Sequence, residues 1–191
     1  MRWIMLLILG ACLALAPARA SDAEVIRVGS KNFSEGYLLS EILSQLLEAE
    51  GYTVERKFGL GGTLICYEAL INDEIDVYPE YTGTISQAIL KTGDLAPTVE
   101  SINTLLADES VRVLSSFGFN NTYAMAVKGE FADAEGLRTI SDLAGRPDIR
   151  ISFSLEFLNR EDGWPGLAAT YSLPQDPGGI DHGLAYQAID D

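Results

Sequence analysis

The 191-residue sequence contains one histidine, His182, and two cysteines, Cys12 and Cys66. These are too few for a cluster of histidine and cysteine metal ligands, and no G-x-S-x-G elbow surrounds a nucleophilic serine. Basic residues are also scarce, with 13 against 28 acidic residues and a formal charge of −15. Because such a surface repels phosphate groups, we predict no nucleic-acid partner, and we predict no metal or other cofactor.

The first twenty residues have the pattern of a secretion signal. An early arginine precedes an apolar run of secretory length, and Ala18-Arg19-Ala20 offers a small-residue cleavage site before Ser21. Residues 1–20 are therefore predicted to be a signal peptide, with lipid attachment at Cys12 as the alternative. Cleavage would remove two basic residues, which leaves 11 against 28 acidic residues and a charge of −17. Cys66 would then be the remaining cysteine, a small core residue with no disulfide partner.

The N-terminal half alternates between strand and helix patterns. Strands are predicted at 25–29, 52–59 and 74–81, and helices at 30–51 and 63–73. The apolar face of the first helix is predicted from residues that recur at helical spacing, Leu38, Leu39, Ile42, Leu43, Leu46 and Leu47, and 52–59 alternates as a strand does. Asn32, followed three residues later by Glu35, suits the capped start of the first helix, and Gly51 suits its end. Two successive strand–helix–strand units predict a parallel sheet with right-handed crossovers.

The C-terminal half continues the alternation. A helix is predicted at 98–108, strands at 111–118, 122–127 and 149–154, and helices at 141–145, 156–171 and 181–190. The strand at 122–127 is the predicted crossing into a second lobe, so that the first lobe spans 21–121 and a partial second lobe spans 122–191. The sequence ends inside a predicted helix, and we expect the second lobe to be incomplete.

Three polar stretches follow the predicted strands at their carboxyl ends: Ser30-Lys31-Asn32, Gly61-Gly62-Thr63 and Tyr81-Thr82-Gly83-Thr84. Ligands of parallel sheets bind at these ends, where helix N termini present free N–H groups and a partial positive charge. Lys31 and Thr84 are predicted to bind a carboxylate, the first by its charge and the second by its hydroxyl. Tyr81 is predicted to present a ring face to the ligand.

Five ordered stretches resemble one known family. They are VGSKNFSEGYLLSEILSQLLEAEGY, LGGTLICYEALINDEIDVYPEYTGT, FNNTYAMAV, FLNREDGWPGL and HGLAYQAI, and they cover nearly all of residues 25–190. The sequence resembles the substrate-binding proteins of ABC importers for glycine betaine, choline and related quaternary amines. Five motifs in order are far more specific than any single one.

The resemblance implies an α/β fold with mostly parallel sheets, a two-lobed periplasmic-binding-protein clamshell that closes on its ligand. It places Lys31, Thr84 and Arg160 at the ligand carboxylate and Tyr81 and Tyr123 in an aromatic box around the trimethylammonium group. Asn121 stands where some members have an acidic residue near the ammonium.

The family's remaining box aromatics come from stretches after residue 191, so we expect weak binding by this segment. The implied protein is a periplasmic monomer that delivers a quaternary amine to an ABC permease in the inner membrane.

The physical chemistry of the ligand favours the same division of roles. A quaternary ammonium has no N–H group to donate, so the negative faces of aromatic rings select it where hydrogen-bond acceptors do not. An amino acid instead carries a primary ammonium that requires acceptors. A receptor for an amino acid or another zwitterion is therefore one alternative, and an exported hydrolase or transferase is another, for which His182 and Cys66 offer little support.

Each predicted ligand residue also has a purely structural interpretation. Lys31 suits a solvated loop, and Arg160 suits a surface ion pair with Asp162. Tyr81 and Thr84 suit a strand end and a helix cap, and Tyr123 suits a core aromatic. The neighbouring Glu80 suits either a solvent-facing position or the cation end of the site.

Overall fold

The computed structural model describes residues 25–93 and 96–190, so the predicted signal peptide and Cys12 lie outside the described residues. The fold is α/β, and its strands pair in parallel. The strands are β1 (Val25–Lys31), β2 (Thr53–Gly61), β3 (Ser152–Ser154) and β4 (Gly178–Ile180). The α-helices are α1 (Ser34–Ala49), α2 (Thr63–Ile71), α3 (Thr82–Thr84), α4 (Val99–Leu105), α5 (Gly129–Glu135), α6 (Leu155–Asn159), α7 (Trp164–Tyr171) and α8 (His182–Asp190). A π-helical turn at Ile85–Ile89 continues α3, and a 3-10 helix spans Ile140–Gly145.

The first sheet confirms the predicted strand–helix–strand unit. β1 and β2 pair from Val25 opposite Thr53, and α1 connects them. The predicted third strand at 74–81 is wrong in extent, because it is reduced to a single parallel bridge between Val28 and Val77. Pro79 has no N–H group for a ladder, which explains why pairing stops there.

Helix α1 packs on this sheet through small residues. Ser40 and Ser44 are fully buried, and the Ser40 hydroxyl donates a hydrogen bond of 2.7 Å to the carbonyl of Gly29 in β1. This close approach turns half of the predicted apolar face outward, since Leu38 and Leu46 are about 60% exposed. The helix was correctly predicted, but its buried face was not.

The C-terminal end of α1 agrees with the prediction, and its N-terminal end does not. Gly51, with φ +92°, follows the helix as predicted, in a conformation that favours glycine. The start is corrected by one residue: Phe33, rather than Asn32, is the N-cap, and no side chain caps it. Asn32 is held by β2 instead, because its backbone N–H donates to the carbonyl of Gly61 at 3.1 Å.

The second sheet consists of β3 and β4, paired from Ser152 opposite Gly178. The strands predicted at 111–118 and 122–127 are wrong, since the chain has no regular structure there. One reason is local: both backbone groups of Val113 bond to the side chain of Asn103, at 2.7 and 2.9 Å, and are thereby withdrawn from strand pairing. Within 25–93 and 96–190, no helix is long and apolar enough to cross a membrane.

Cys66 lies in α2 and is fully buried, as predicted. Burial is the main cause that raises the pKa of its thiol, to about 11. We expect Ellman's reagent to modify Cys66 in a Cys12→Ser background only as urea unfolds the protein, because the thiolate is the reacting species. Leu64→Cys, at a position 57% exposed in the same helix, is the matched control that should react at once. Rapid labelling of Cys66 in the folded protein would contradict this packing.

Candidate functional site

The carboxyl ends of β1 and β2 and the segment after Val77 lie at one edge of the first sheet. β1 ends at Lys31 and β2 at Gly61, and α2 begins two residues later at Thr63. The chain that leaves the bridge at Val77 reaches Glu80 and Tyr81 before α3 begins. This edge is where ligands of open parallel sheets bind.

A buried ion pair lies at the centre of the edge. The Lys31 ammonium donates a 2.6 Å hydrogen bond to Glu80 Oε1, and both side chains are 7% exposed. The structure thus rules out a solvated Lys31 and a solvent-facing Glu80. Burial raises the pKa of Glu80, and the Lys31 charge opposes that rise. The other oxygen, Oε2, is buried and makes no well-formed hydrogen bond to the described residues.

Tyr81 lies beside this pair. The Lys31 ammonium stands 4.8 Å from the centroid of the Tyr81 ring. The ring centroids of Phe33 and Tyr81 are 6.4 Å apart. The Tyr81 hydroxyl donates a short hydrogen bond to Glu35 Oε1, which also accepts a 2.9 Å bond from the Asn121 amide. Burial, and then the Glu35 bond, raise the pKa of Tyr81, so the phenol remains neutral at physiological pH.

Arg160 approaches the same edge from the C-terminal half of the chain. Its guanidinium binds both oxygens of Asp162, at 2.8 and 2.6 Å, and donates a 3.1 Å bond to the Thr84 hydroxyl. Arg160 is 8% exposed, so this is not the surface ion pair of the structural interpretation. Its guanidinium carbon lies 5.8 Å from the ring of Tyr123.

Tyr123 belongs to an aromatic group from the C-terminal half. Its ring centroid lies 4.7 Å from that of Phe157, which contacts Phe153 at 5.0 Å, and Phe153 contacts Trp164 at 5.4 Å. Tyr123 is 52% exposed and lies outside any strand, so it is not a core aromatic of a crossing strand.

The six residues predicted from the sequence thus form two contact groups. In the first, the Lys31 ammonium lies over the ring of Tyr81, and Tyr81 and Asn121 both bond to Glu35. In the second, Arg160 contacts both Thr84 and Tyr123. A third contact links the halves of the chain, since the Thr63 hydroxyl donates a 2.9 Å bond to Glu156.

The sequence prediction missed two carboxylates of the site, Glu35 and Glu156. Glu35 was interpreted only as part of a helix start. Glu156 precedes Arg160 by four residues, the spacing of an ion pair on one helical face, and this signal would have identified it. Within the described ranges, no group of three or more acidic, cysteine or histidine side chains is arranged to hold a metal ion.

Comparison with known proteins shows the family that the sequence motifs resemble. Residues 24–191 match the family described as the substrate-binding domain of ABC-type glycine betaine transport systems. The chain is 37% identical over 172 residues to the ergothioneine transport permease/ergothioneine binding protein EgtU of Helicobacter pylori, a match that covers 87% of this chain and 31% of that protein. It is 32% identical over 195 residues to a glycine-betaine-binding protein of Pseudomonas aeruginosa, which covers 94% of this chain and 62% of that one.

A solved structure is also similar. The crystal structure of a glycine betaine/carnitine/choline ABC transporter superposes with a TM-score of 0.58 at 26% identity, over 86% of this chain and 64% of that one. The similarity supports the predicted α/β fold class. The chain thus spans about a third to two thirds of the length of the proteins it matches. A match to substrate-binding domains agrees with the prediction of a binding protein rather than an enzyme.

Proposed function

Because the chain belongs to the family of substrate-binding domains of ABC-type glycine betaine transport systems, we propose that it binds a quaternary ammonium solute for an ABC importer. The named ligands of its relatives are glycine betaine, ergothioneine, carnitine and choline. All four carry a trimethylammonium group, which is the shared feature that a common site would recognise.

The observation that carries the proposal is the position of Tyr81 beside Lys31. A ring face directed at a cation attracts it without the desolvation cost of a buried carboxylate, and each such contact is worth up to about 2 kcal/mol. Tyr81 faces a cation, the Lys31 ammonium, at 4.8 Å. A ring that already faces a cation supports the proposal that Tyr81 binds the cation of the ligand.

The residues proposed to bind the ligand are those predicted from the sequence. Tyr81, Tyr123 and Asn121 would surround the trimethylammonium group, and Lys31, Thr84 and Arg160 would bind a carboxylate or hydroxyl at the other end. Their contacts join two proposed lobes, 21–121 and 122–191, and ligand binding between two lobes is the arrangement in which closure excludes water.

The proposed setting is the periplasm. The signal-peptide pattern at 1–20 supports export, and an ABC permease in the inner membrane is the proposed partner. Choline is included among the proposed solutes, and the proposed receptor is a monomer.

Calorimetric titration with choline and with 3,3-dimethylbutanol tests the function. The two molecules have the same shape, but the second carries carbon in place of the ammonium nitrogen and has no charge. We expect choline to bind and the neutral analogue to bind at least about tenfold more weakly. Absence of binding by choline and glycine betaine, to protein shown by circular dichroism to be folded, would remove the proposal.

A further inference from the structure

The carboxylate of Glu156 lies at the N terminus of helix α2. Its Oε1 accepts a 2.9 Å hydrogen bond from the hydroxyl of Thr63, the first residue of α2. A Cβ atom on the preceding Gly62 would lie 3.4 Å from Glu156 Oε2, so the carboxylate stands directly against the backbone there. A helix N terminus of this kind attracts negative charge.

The same carboxylate lies among the groups proposed to bind a ligand carboxylate. Arg160 Nη1 is 3.5 Å from Glu156 Oε1. The Thr63 hydroxyl, which donates to Glu156, is itself 3.4 Å from the Lys31 ammonium. Glu156 therefore stands where the ligand's own carboxylate would be held.

The charges around the site do not balance. Each cation has its own acidic partner, since Lys31 pairs with Glu80 at 2.6 Å and Arg160 pairs with Asp162 at 2.6 Å. Two further carboxylates, Glu35 and Glu156, are then in excess. A site with this excess favours a ligand that is a net cation over one that brings its own carboxylate.

We propose that Glu156 is an internal carboxylate that fills the anion position of this site and shifts its preference toward quaternary ammonium alcohols, such as choline, and away from betaines. The inference rests on the proposed function and specifies the solute class. A betaine carboxylate must displace Glu156 or stand beside it, and like charges at that separation repel. An alcohol has no such conflict, and its hydroxyl can donate a hydrogen bond to Glu156.

Glu156→Gln tests the proposal, because glutamine has the same shape and still accepts the bond from Thr63. The affinities of choline and glycine betaine are measured by calorimetry or, for weak binding, by NMR titration. We expect the ratio of the glycine betaine Kd to the choline Kd to fall about tenfold in the variant. Glu161→Gln removes one charge from an exposed neighbour in the same segment and should leave the ratio unchanged.

Other outcomes overturn the proposal. An unchanged ratio in Glu156→Gln, with both ligands weakened equally, would make Glu156 only a structural support for Arg160. Failure of both ligands to bind the unsubstituted protein would instead refute the proposed function, and the inference with it. Glu156→Asp withdraws the carboxylate by one methylene, and its ratio of the two Kd values should lie between those of the unsubstituted protein and Glu156→Gln. It provides a second variant if the glutamine protein does not fold.

Acetate provides a readout independent of any quaternary amine. In Glu156→Ala, which removes the carboxylate and leaves space for an anion, we expect acetate to shift the backbone amide resonances of Gly62 and Thr63 in a saturable manner. The unsubstituted protein should show at least about tenfold weaker acetate binding there. Equal acetate binding by the two proteins would overturn the assignment of Glu156 as the internal anion.

Discussion

Replacing Lys31 by methionine is expected to lower the free energy of unfolding by about 3–5 kcal/mol, because Glu80 is left as a buried charge without its partner. The two side chains are 7% exposed and 2.6 Å apart. Glu80 Oε2 makes no well-formed hydrogen bond to the described residues that would replace the lost one. This loss is large compared with the whole free energy of unfolding of a protein domain, which is roughly 5–15 kcal/mol. Urea unfolding followed by circular dichroism measures it.

The double substitution Lys31→Met with Glu80→Met is the first control. It removes both charges together and is expected to recover most of the lost stability, because apolar residues of similar volume often replace a buried ion pair without cost. Lys57→Met, which breaks an exposed pair with Glu55, should cost less than about 1 kcal/mol. Equal destabilisation by the single and double substitutions would contradict the assigned role of the charge.

The effect of Lys31→Met should also depend on pH. Burial raises the pKa of Glu80, and without Lys31 the pKa in the folded state rises further. A raised folded-state pKa contributes stability below the unfolded-state pKa of about 4.3, and that contribution is lost as pH rises through the folded-state pKa. The stability difference between the two proteins should therefore shrink as the pH falls from about 8 to about 5. A constant difference would show that Glu80 does not titrate in that range.

Tyr81→Leu is expected to weaken choline binding by about 30-fold, since it removes a cation–π contact worth up to about 2 kcal/mol while keeping an apolar side chain. Tyr81 lies at the edge of the first sheet proposed to bind the ligand, with the Lys31 ammonium 4.8 Å from its ring centroid. The hydroxyl of Tyr81 is bonded to Glu35, whose negative charge makes the ring richer in electrons. Calorimetry or NMR titration of the folded variant measures the change.

Two controls separate the ring from the rest of the side chain. Tyr81→Phe keeps the ring face and loses the bond to Glu35, so it should weaken binding by only a few-fold. Tyr52→Leu removes an exposed tyrosine from the opposite end of the first sheet and should leave binding unchanged. If Tyr81→Leu and Tyr52→Leu bound choline equally well, Tyr81 would have no part in the site.

Local sequence patterns were sufficient for the first unit of the fold. The apolar repeat of α1, the alternation of β2 and the position of Gly51 are set by neighbours within a few residues, and all three were predicted. The strands at 111–118 and 122–127 failed because a strand also needs a partner. Their pattern says nothing of the bonds between Val113 and Asn103 that replace strand pairing.

The candidate site likewise has residues that local sequence patterns predict and contacts that they do not. Lys31, Tyr81 and Thr84 could be placed from the sequence because the carboxyl ends of successive parallel strands converge on one edge. The contact of Thr63 with Glu156 joins residues 93 positions apart, and that of Glu35 with Asn121 joins residues 86 apart. No local pattern encodes such pairs, so the contacts that bring these two carboxylates into the site emerged only from the structure.

The most direct measurement of the central claim is a set of intermolecular NOEs between the N-methyl protons of bound choline and the aromatic protons of the protein. We predict NOEs to the ring protons of Tyr81 and Tyr123. In Tyr81→Leu, the NOEs to residue 81 should disappear and choline binding should weaken. Saturable choline binding with N-methyl NOEs only to aromatic rings elsewhere, such as Phe117 and Phe119, would contradict the claim that Tyr81 holds the cation.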